Sequence, residues 1–203
     1  MPRLINRIFL LSPAHAGGQR AKFLLNPRAS FPLARQFHDE GLTLGAVFAF
    51  TSGLYFRGKL AYALRFAPPG GDNLVRVITS NAGLLDPNVV ISPRELAEFG
   101  TTEIDPVDPR YHRPLRRHAG ALARQLRPDG SAILLGSIAT PKYRDLLLDV
   151  FGARLFFPRD FVGRGDMSRG ALLLRAAQAG DELEYQTVQG AIVTGRRASG
   201  PPA

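Results

Sequence analysis

The chain has 203 residues, 45% of them hydrophobic, a size at which one domain buries roughly 70% of the surface that its unfolded form exposes. It contains no cysteine, which excludes a disulfide framework and thiolate metal sites, and its four histidines, His15, His38, His112 and His118, are too scattered to suggest zinc. The formal net charge of +9 and pI near 10.7 favour a polyanionic partner, whether nucleic acid, nucleotide phosphate or an anionic surface, without choosing among them.

Lysine stands only at Lys22, Lys59 and Lys142, so nearly all of the positive charge is arginine, which suits bidentate recognition of phosphate or base edges. A genome with GC-rich codons produces the same bias. No apolar run approaches the roughly 20 residues of a membrane helix, and the first residues lead into a strand pattern rather than a signal peptide. A cytoplasmic protein with no membrane contact, no metal and no cofactor is expected.

Five segments repeat one grammar, in which a short apolar run meets a loop of small and polar residues and then usually a helical pattern. The first is Arg7 to Leu11, followed by the loop Ser12 to Gly18 and a helix from Gln19 to Leu25. The second is Gly45 to Phe50, readable as strand or helix, followed by a loop from Thr51 to Gly58 and a helix to Ala67. A solvated connection, Pro68 to Asp72, leads to the third run, Leu74 to Ile78, and its loop Thr79 to Pro87. A short helix over Pro93 to Phe99 and an arginine-rich one over Arg110 to Arg127 follow. The fourth run is Ala132 to Leu135, then Gly136 to Thr140, with Pro141 at a favourable first helical position. The fifth is Arg154 to Pro158, then Gly163 to Gly170, then a helix from Ala171 to Ala179 closed by Gly180. The alternation over Glu182 to Thr194 indicates an edge strand or hairpin. The expected fold is therefore α/β, a single domain over 1–195 with a largely parallel open sheet flanked by helices, ending in a flexible tail at 196–203.

Because ligands of such sheets sit beyond the carboxyl ends of the strands, the loops supply the candidate residues. The loop Gly163 to Gly170 combines three glycines, Arg164, Arg169 and Asp166, and a helix N-terminus there favours an anion, although the glycines equally suit a tight turn. Asp166, a carboxylate among arginines, can orient water. Tyr55, Arg57 and Lys59 read as a loop entering a helix, with two cations placed for a phosphate or merely an exposed helix start. Asn81 and Asp86 flank Gly83, where Asn and Asp also serve as turn formers. Arginines 110, 113, 116, 117, 124 and 127 with His112 and His118 make one face of a helix whose Leu115, Leu122 and Leu126 turn to the core; that face is a backbone-binding surface or an ordinary solvated one. Ser12 and His15 lack an oriented third partner and no Gly-x-Ser-x-Gly elbow is present, which argues against a serine hydrolase.

In their order along the chain these loops resemble the YaaA family of peroxide-stress proteins and its short relatives. Ile8 to Ala14 is similar to the family's opening strand and Ser-Pro-Ala turn, and Phe50 to Gly58 to its aromatic and glycine segment. Val75 to Pro87 is similar to its strand and Tyr-Gly-Leu-x-x-Pro type turn, with Ala82 where an aromatic or basic residue is usual. Leu134 to Tyr143 resembles the Ala-Ser-x-x-Tyr helix start, and Arg164 to Arg169 the Arg-Gly-x-Met-Ser-Arg segment. The chain is shorter than typical members and lacks much of the insertion that holds the family's proposed helix-hairpin-helix. The resemblance implies an intracellular α/β protein tied to DNA protection, with a positively charged cleft and no established catalytic chemistry.

The expected function is nucleic-acid or nucleotide binding, probed at Ser12, Tyr55, Arg57, Lys59, Asn81, Lys142, Tyr143, Arg164, Ser168 and Arg169. The alternative is an N-glycosidic or nucleotide-processing enzyme in the same cleft, with Asp166 or Asp86 orienting water toward a nucleoside. A third reading is an interaction protein whose arginines merely keep it in solution.

Overall fold

The buried apolar run Ile8 to Leu11 forms the middle of β1 (Ile5–Leu11), and the rest of the sheet is laid against it. A computed structural model of the protein describes residues 4–67 and 74–191. The connection at Pro68 to Asp72 and the tail at 196–203 lie outside the described residues. The other sheet strands are β3 (Val75–Ile78), β4 (Leu84–Leu85), β6 (Leu126–Leu135), β7 (Leu155–Pro158) and β8 (Tyr185–Thr187), in the order β4-β3-β1-β6-β7-β8. β3, β1, β6 and β7 run parallel, and β4 and β8 close the two edges antiparallel. This is the α/β architecture anticipated above, with β8 as the C-terminal edge strand. A separate pair joins β2 (Leu42–Thr43) to β5 (Val90–Ile91).

The helices are α1 (Gln19–Leu25), α2 (Pro32–Glu40), α3 (Leu44–Ser52), α4 (Leu54–Phe66), α5 (Pro93–Thr101), α6 (Pro109–Gln125), α7 (Pro141–Phe151) and α8 (Asp166–Ala179). Their starts are chemically marked. Ser92 and Glu95 make a reciprocal capping box on α5, Asp108 accepts the Arg110 N–H at the start of α6, and Thr43 accepts the Ala46 N–H at the start of α3. Among the described residues no helix is long and apolar enough to cross a membrane, and no three His, Asp or Glu side chains gather as metal ligands.

One open reading is decided, and two local expectations need correction. Gly45 to Phe50 is helical, because Thr43 caps it and α3 buries Leu44, Gly45, Val47 and Phe48. Thr51 to Gly58 is no loop, since only Gly53, at φ 62°, separates α3 from α4. Residues Asp166 to Gly170 are the first turns of α8 rather than a loop, which leaves Gly163 to Gly165 as the connection. In addition, α6 stops at Gln125 and Leu126 begins β6, as Pro128 disfavours a helical Arg127.

After β1 the chain passes to β3 on one side, and after β3 it returns to β6 on the other. The connections leave the carboxyl ends of β1 and β6 in opposite directions, which makes this the topological switch point of the sheet. The Ser12 N–H donates to the Leu135 carbonyl across this point at 3.1 Å.

Candidate functional site

Along α4 the residues Tyr55, Lys59, Tyr62 and Ala63 share one buried stripe at helical spacing. Phe9 of β1 meets the Tyr62 ring edge-on, with centroids 6.0 Å apart, which lays this stripe on the sheet. The stripe therefore carries a lysine into the core. Lys59 is 1% exposed, and its ammonium donates to the Ser12 carbonyl at 2.7 Å and to Ser12 Oγ at 2.8 Å. The Tyr55 and Phe56 rings lie 4.4 and 5.0 Å from Nζ and give partial compensation through their π faces. Burial nevertheless pulls the Lys59 pKa down to about 7, with the Asp166 carboxylate opposing.

The Lys59 pair sits at the switch point, because Ser12 follows β1 and Gly136 follows β6. A Cβ on Gly136 would stand 2.8 Å from Ser12 Cβ, 2.9 Å from the Tyr143 hydroxyl and 3.2 Å from Ser12 Oγ. Only glycine fits beneath the two hydroxyls, which pack against its backbone. Burial raises the Tyr143 pKa, while Ser12 and the Ser137 backbone favour its ionised form. Tyr55, also buried, has a hydroxyl without a hydrogen-bond partner; burial raises its pKa and the nearby Arg169 guanidinium lowers it, although no hydrogen bond joins the two.

Arg169 reaches this cluster because α4 and α8 touch backbone to backbone at Gly58 and Gly170. Its guanidinium donates to the Phe161 carbonyl from Nε at 3.2 Å and from Nη2 at 3.0 Å, and lies 3.4 Å from Asp166 Oδ1. Asp166 is exposed and starts the first turn of α8, where its charge suits the helix dipole.

The structure thus brings together Ser12, Tyr55, Lys59, Tyr143, Asp166 and Arg169. Other expected site residues stand apart. Arg57 is exposed and, two positions from both Tyr55 and Lys59, falls on the opposite face of α4. Asp86 lies just past β4 beside Arg76, back from the carboxyl edge, where it accepts from the Arg76 guanidinium at 3.0 Å and from the Asn88 N–H at 2.9 Å. It serves an edge ion pair and a turn. Asn81 belongs to the turn between β3 and β4, which Thr79 braces by donating to the Gly83 carbonyl and accepting the Ala82 N–H. Arg164 donates to Ser168 Oγ at 3.2 Å, and both are exposed on α8 and the connection before it.

Lys142 is exposed on the wall of a cavity of about 620 Å³. The loop after β1, the end of β3, α5 and the start of α7 line it with His15, Gly17, Ser80, Phe99, Glu103 and Lys142. Its walls adjoin the buried cluster along the chain, since Pro13 follows Ser12 and Lys142 precedes Tyr143. The arginine-rich face of α6 is thinner than its sequence suggests. Arg110 pairs with Asp108, Arg116 with Asp149 and Arg127 with Asp129, while His118 Nδ1 accepts the Leu84 N–H at 3.1 Å. Arg113, Arg117 and Arg124 are exposed without an acidic partner among the described residues.

From the sequence Lys59 reads as a phosphate-binding cation in a loop entering a helix, whereas in the fold it is buried and paired with Ser12, 47 positions earlier. A signal was present, because a lysine stood within an otherwise apolar helical stripe. No family model, curated protein or solved structure matches the chain.

Proposed function

We propose that the protein binds nucleic acid or nucleotides, holding phosphate at the carboxyl edge between the first turn of α8 and the Lys142 wall. The observation that carries this reading is the placement of Arg169 in the first turn of α8 and of Lys142 on the wall of a 620 Å³ cavity, at the same edge of the sheet. Cations and hydroxyl donors around a helix N-terminus suit an anionic oxygen. The Tyr55 and Tyr143 rings are buried, so they do not stack on bases. Arg113, Arg117 and Arg124 extend the positive surface for a longer backbone, in keeping with the net charge of +9. The implied YaaA-like role in DNA protection is compatible with such a ligand.

Fluorescence anisotropy of a single-stranded oligonucleotide and of a nucleoside monophosphate across a salt series tests this reading. Affinity for the oligonucleotide falls steeply as salt rises, and Arg169→Gln weakens both ligands. A flat or absent response removes nucleic-acid binding from the account.

A nucleotide-processing reaction is the second reading, favoured by the exposed Asp166 carboxylate held by Arg169 at the rim of the cluster. Product analysis of nucleosides and base-damaged DNA, with Asp166→Asn as control, distinguishes it from binding alone. Base release that the substitution leaves untouched removes Asp166 from that reaction.

A further inference from the structure

Among the buried groups, the Ser12 and Lys59 pair is unlike an ordinary core contact. A lysine 1% exposed, bonded to no carboxylate, touches the side chain and carbonyl of a single serine at the switch point of the sheet. The carbonyl contact orients the amine. A neutral Nζ keeps one N–H on the Ser12 carbonyl and turns its lone pair to the Ser12 hydroxyl proton. The Tyr143 hydroxyl packs beside Ser12 over Gly136, within 2.9 Å of the point where a Cβ would be, and Ser12 Oγ lies within 3.2 Å of that same point.

We propose that Ser12 is an acyl-accepting nucleophile with Lys59 as its general base, and that the protein hydrolyses small acyl esters through an acyl-Ser12 intermediate. This inference stands independently of nucleotide binding. In the first step Ser12 Oγ bonds to the acyl carbon while its proton passes to Lys59 Nζ. The ester C–O bond then breaks, and Nζ returns the proton to the departing alkoxide, which leaves as the alcohol. In the second step water attacks the acyl carbon, Nζ takes a water proton, and the bond to Oγ breaks. Nζ hands that proton to Oγ, the acid leaves, and Ser12 and Lys59 return to their starting state. Tyr143 donates toward the oxygen that gains charge in both steps.

A base must be neutral at working pH to act, and desolvation prepares Lys59 for that by lowering its pKa to about 7. A lysine exposed to water is almost wholly protonated there. His15, the base that sequence proximity suggests, is exposed on the cavity wall, and no hydrogen bond joins it to Ser12. Ser12 is 5% exposed and adjoins the cavity only through Pro13, so the substrate class is limited to small acyl esters.

The test uses the full chain with p-nitrophenyl acetate, read as a burst of p-nitrophenolate and as acetylated peptides by mass mapping. One acetyl group on Ser12 is expected, with a rate that rises with pH to a plateau and a midpoint near 7. Ser12→Ala abolishes the burst, and Lys59→Met, of similar volume, slows it about 100-fold or more. Thermal melting checks that the methionine variant folds. Acetyl on a lysine or on His15 in place of Ser12, no acetylation at all, or an unchanged Ser12 rate in Lys59→Met overturns the proposal. If Lys59→Met does not fold, the wild-type profile decides, and a rate that climbs through neutral pH without a midpoint near 7 overturns it.

Discussion

The carbonyl oxygen of Gly170 lies 2.5 Å from where a Cβ on Gly58 would be, so α4 and α8 meet with no side chain between them. A Cβ on Gly170 would in turn stand 2.8 Å from the Tyr55 Cα. This contact sets the distance between Tyr55 and Lys59 on one helix and Asp166 and Arg169 on the other. Gly58→Ala must push backbone against backbone, and its expected cost is about 3 kcal/mol, the upper end of overpacking penalties. Urea denaturation checks this; a loss below about 0.5 kcal/mol would show that the helices separate freely. Gly170→Ala behaves similarly and also weakens ligand binding, because it displaces Arg169.

Lys59 makes stability depend on pH in a defined direction. Its pKa is about 7 in the folded chain against 10.5 ordinarily, so between those values the unfolded chain holds a proton that the folded chain lacks. Stability therefore rises with pH over that window, and the penalty is complete below about pH 7. The slope approaches about 1.4 kcal/mol per pH unit. Buried Tyr55, Tyr111 and Tyr143, with pKa values pushed above the ordinary 10.0, act oppositely at higher pH, which makes pH 7 to 9 the useful range. Denaturation of the wild type and Lys59→Met across that range is the measurement. A slope unchanged by the substitution would place the effect elsewhere.

Asp86 and Asp166 separate structural from functional carboxylates. Asp86→Asn breaks the half-buried pair with Arg76, costs about 1 kcal/mol or less, and leaves oligonucleotide affinity unchanged. Asp166→Asn removes the negative charge beside Arg169 and Lys59, and phosphate affinity is expected to rise several-fold at low salt. Equal effects of the two substitutions on binding would contradict the placement of the site.

The capping box of α5 supports the cavity wall. Ser92 Oγ accepts the Glu95 N–H at 3.3 Å, and the Glu95 carboxylate accepts the Ser92 N–H at 2.8 Å and the Ser92 hydroxyl at 2.7 Å. These bonds hold the Glu95 carboxyl below its ordinary pKa. Ser92→Ala is expected to cost about 1 kcal/mol, read as a fall of roughly 2–4 °C in Tm. A Tm unchanged within error would mean that packing of Leu96 and Phe99 alone sets α5.

Local chemistry determined much of the architecture. Apolar runs flanked by glycine and proline located β1, β3 and β7, and Gln19 to Leu25 is a helix with the bounds that the sequence indicates. Pro141 begins α7 as its fixed backbone angle requires, and Gly180 ends α8 in the left-handed region at φ 78°. These features depend on residues within one or two turns of each other, so the sequence alone carried them. Whether Gly45 to Phe50 was strand or helix was decided by a Thr43 cap and by what the segment buries. The site was decided by tertiary structure alone. Lys59 looks like a surface cation until α4 is laid on β1, and Ser12 becomes its partner only because the strand order puts both at the point where the sheet reverses. Burial and strand order depend on contacts between distant segments, and spacing along the chain does not encode them.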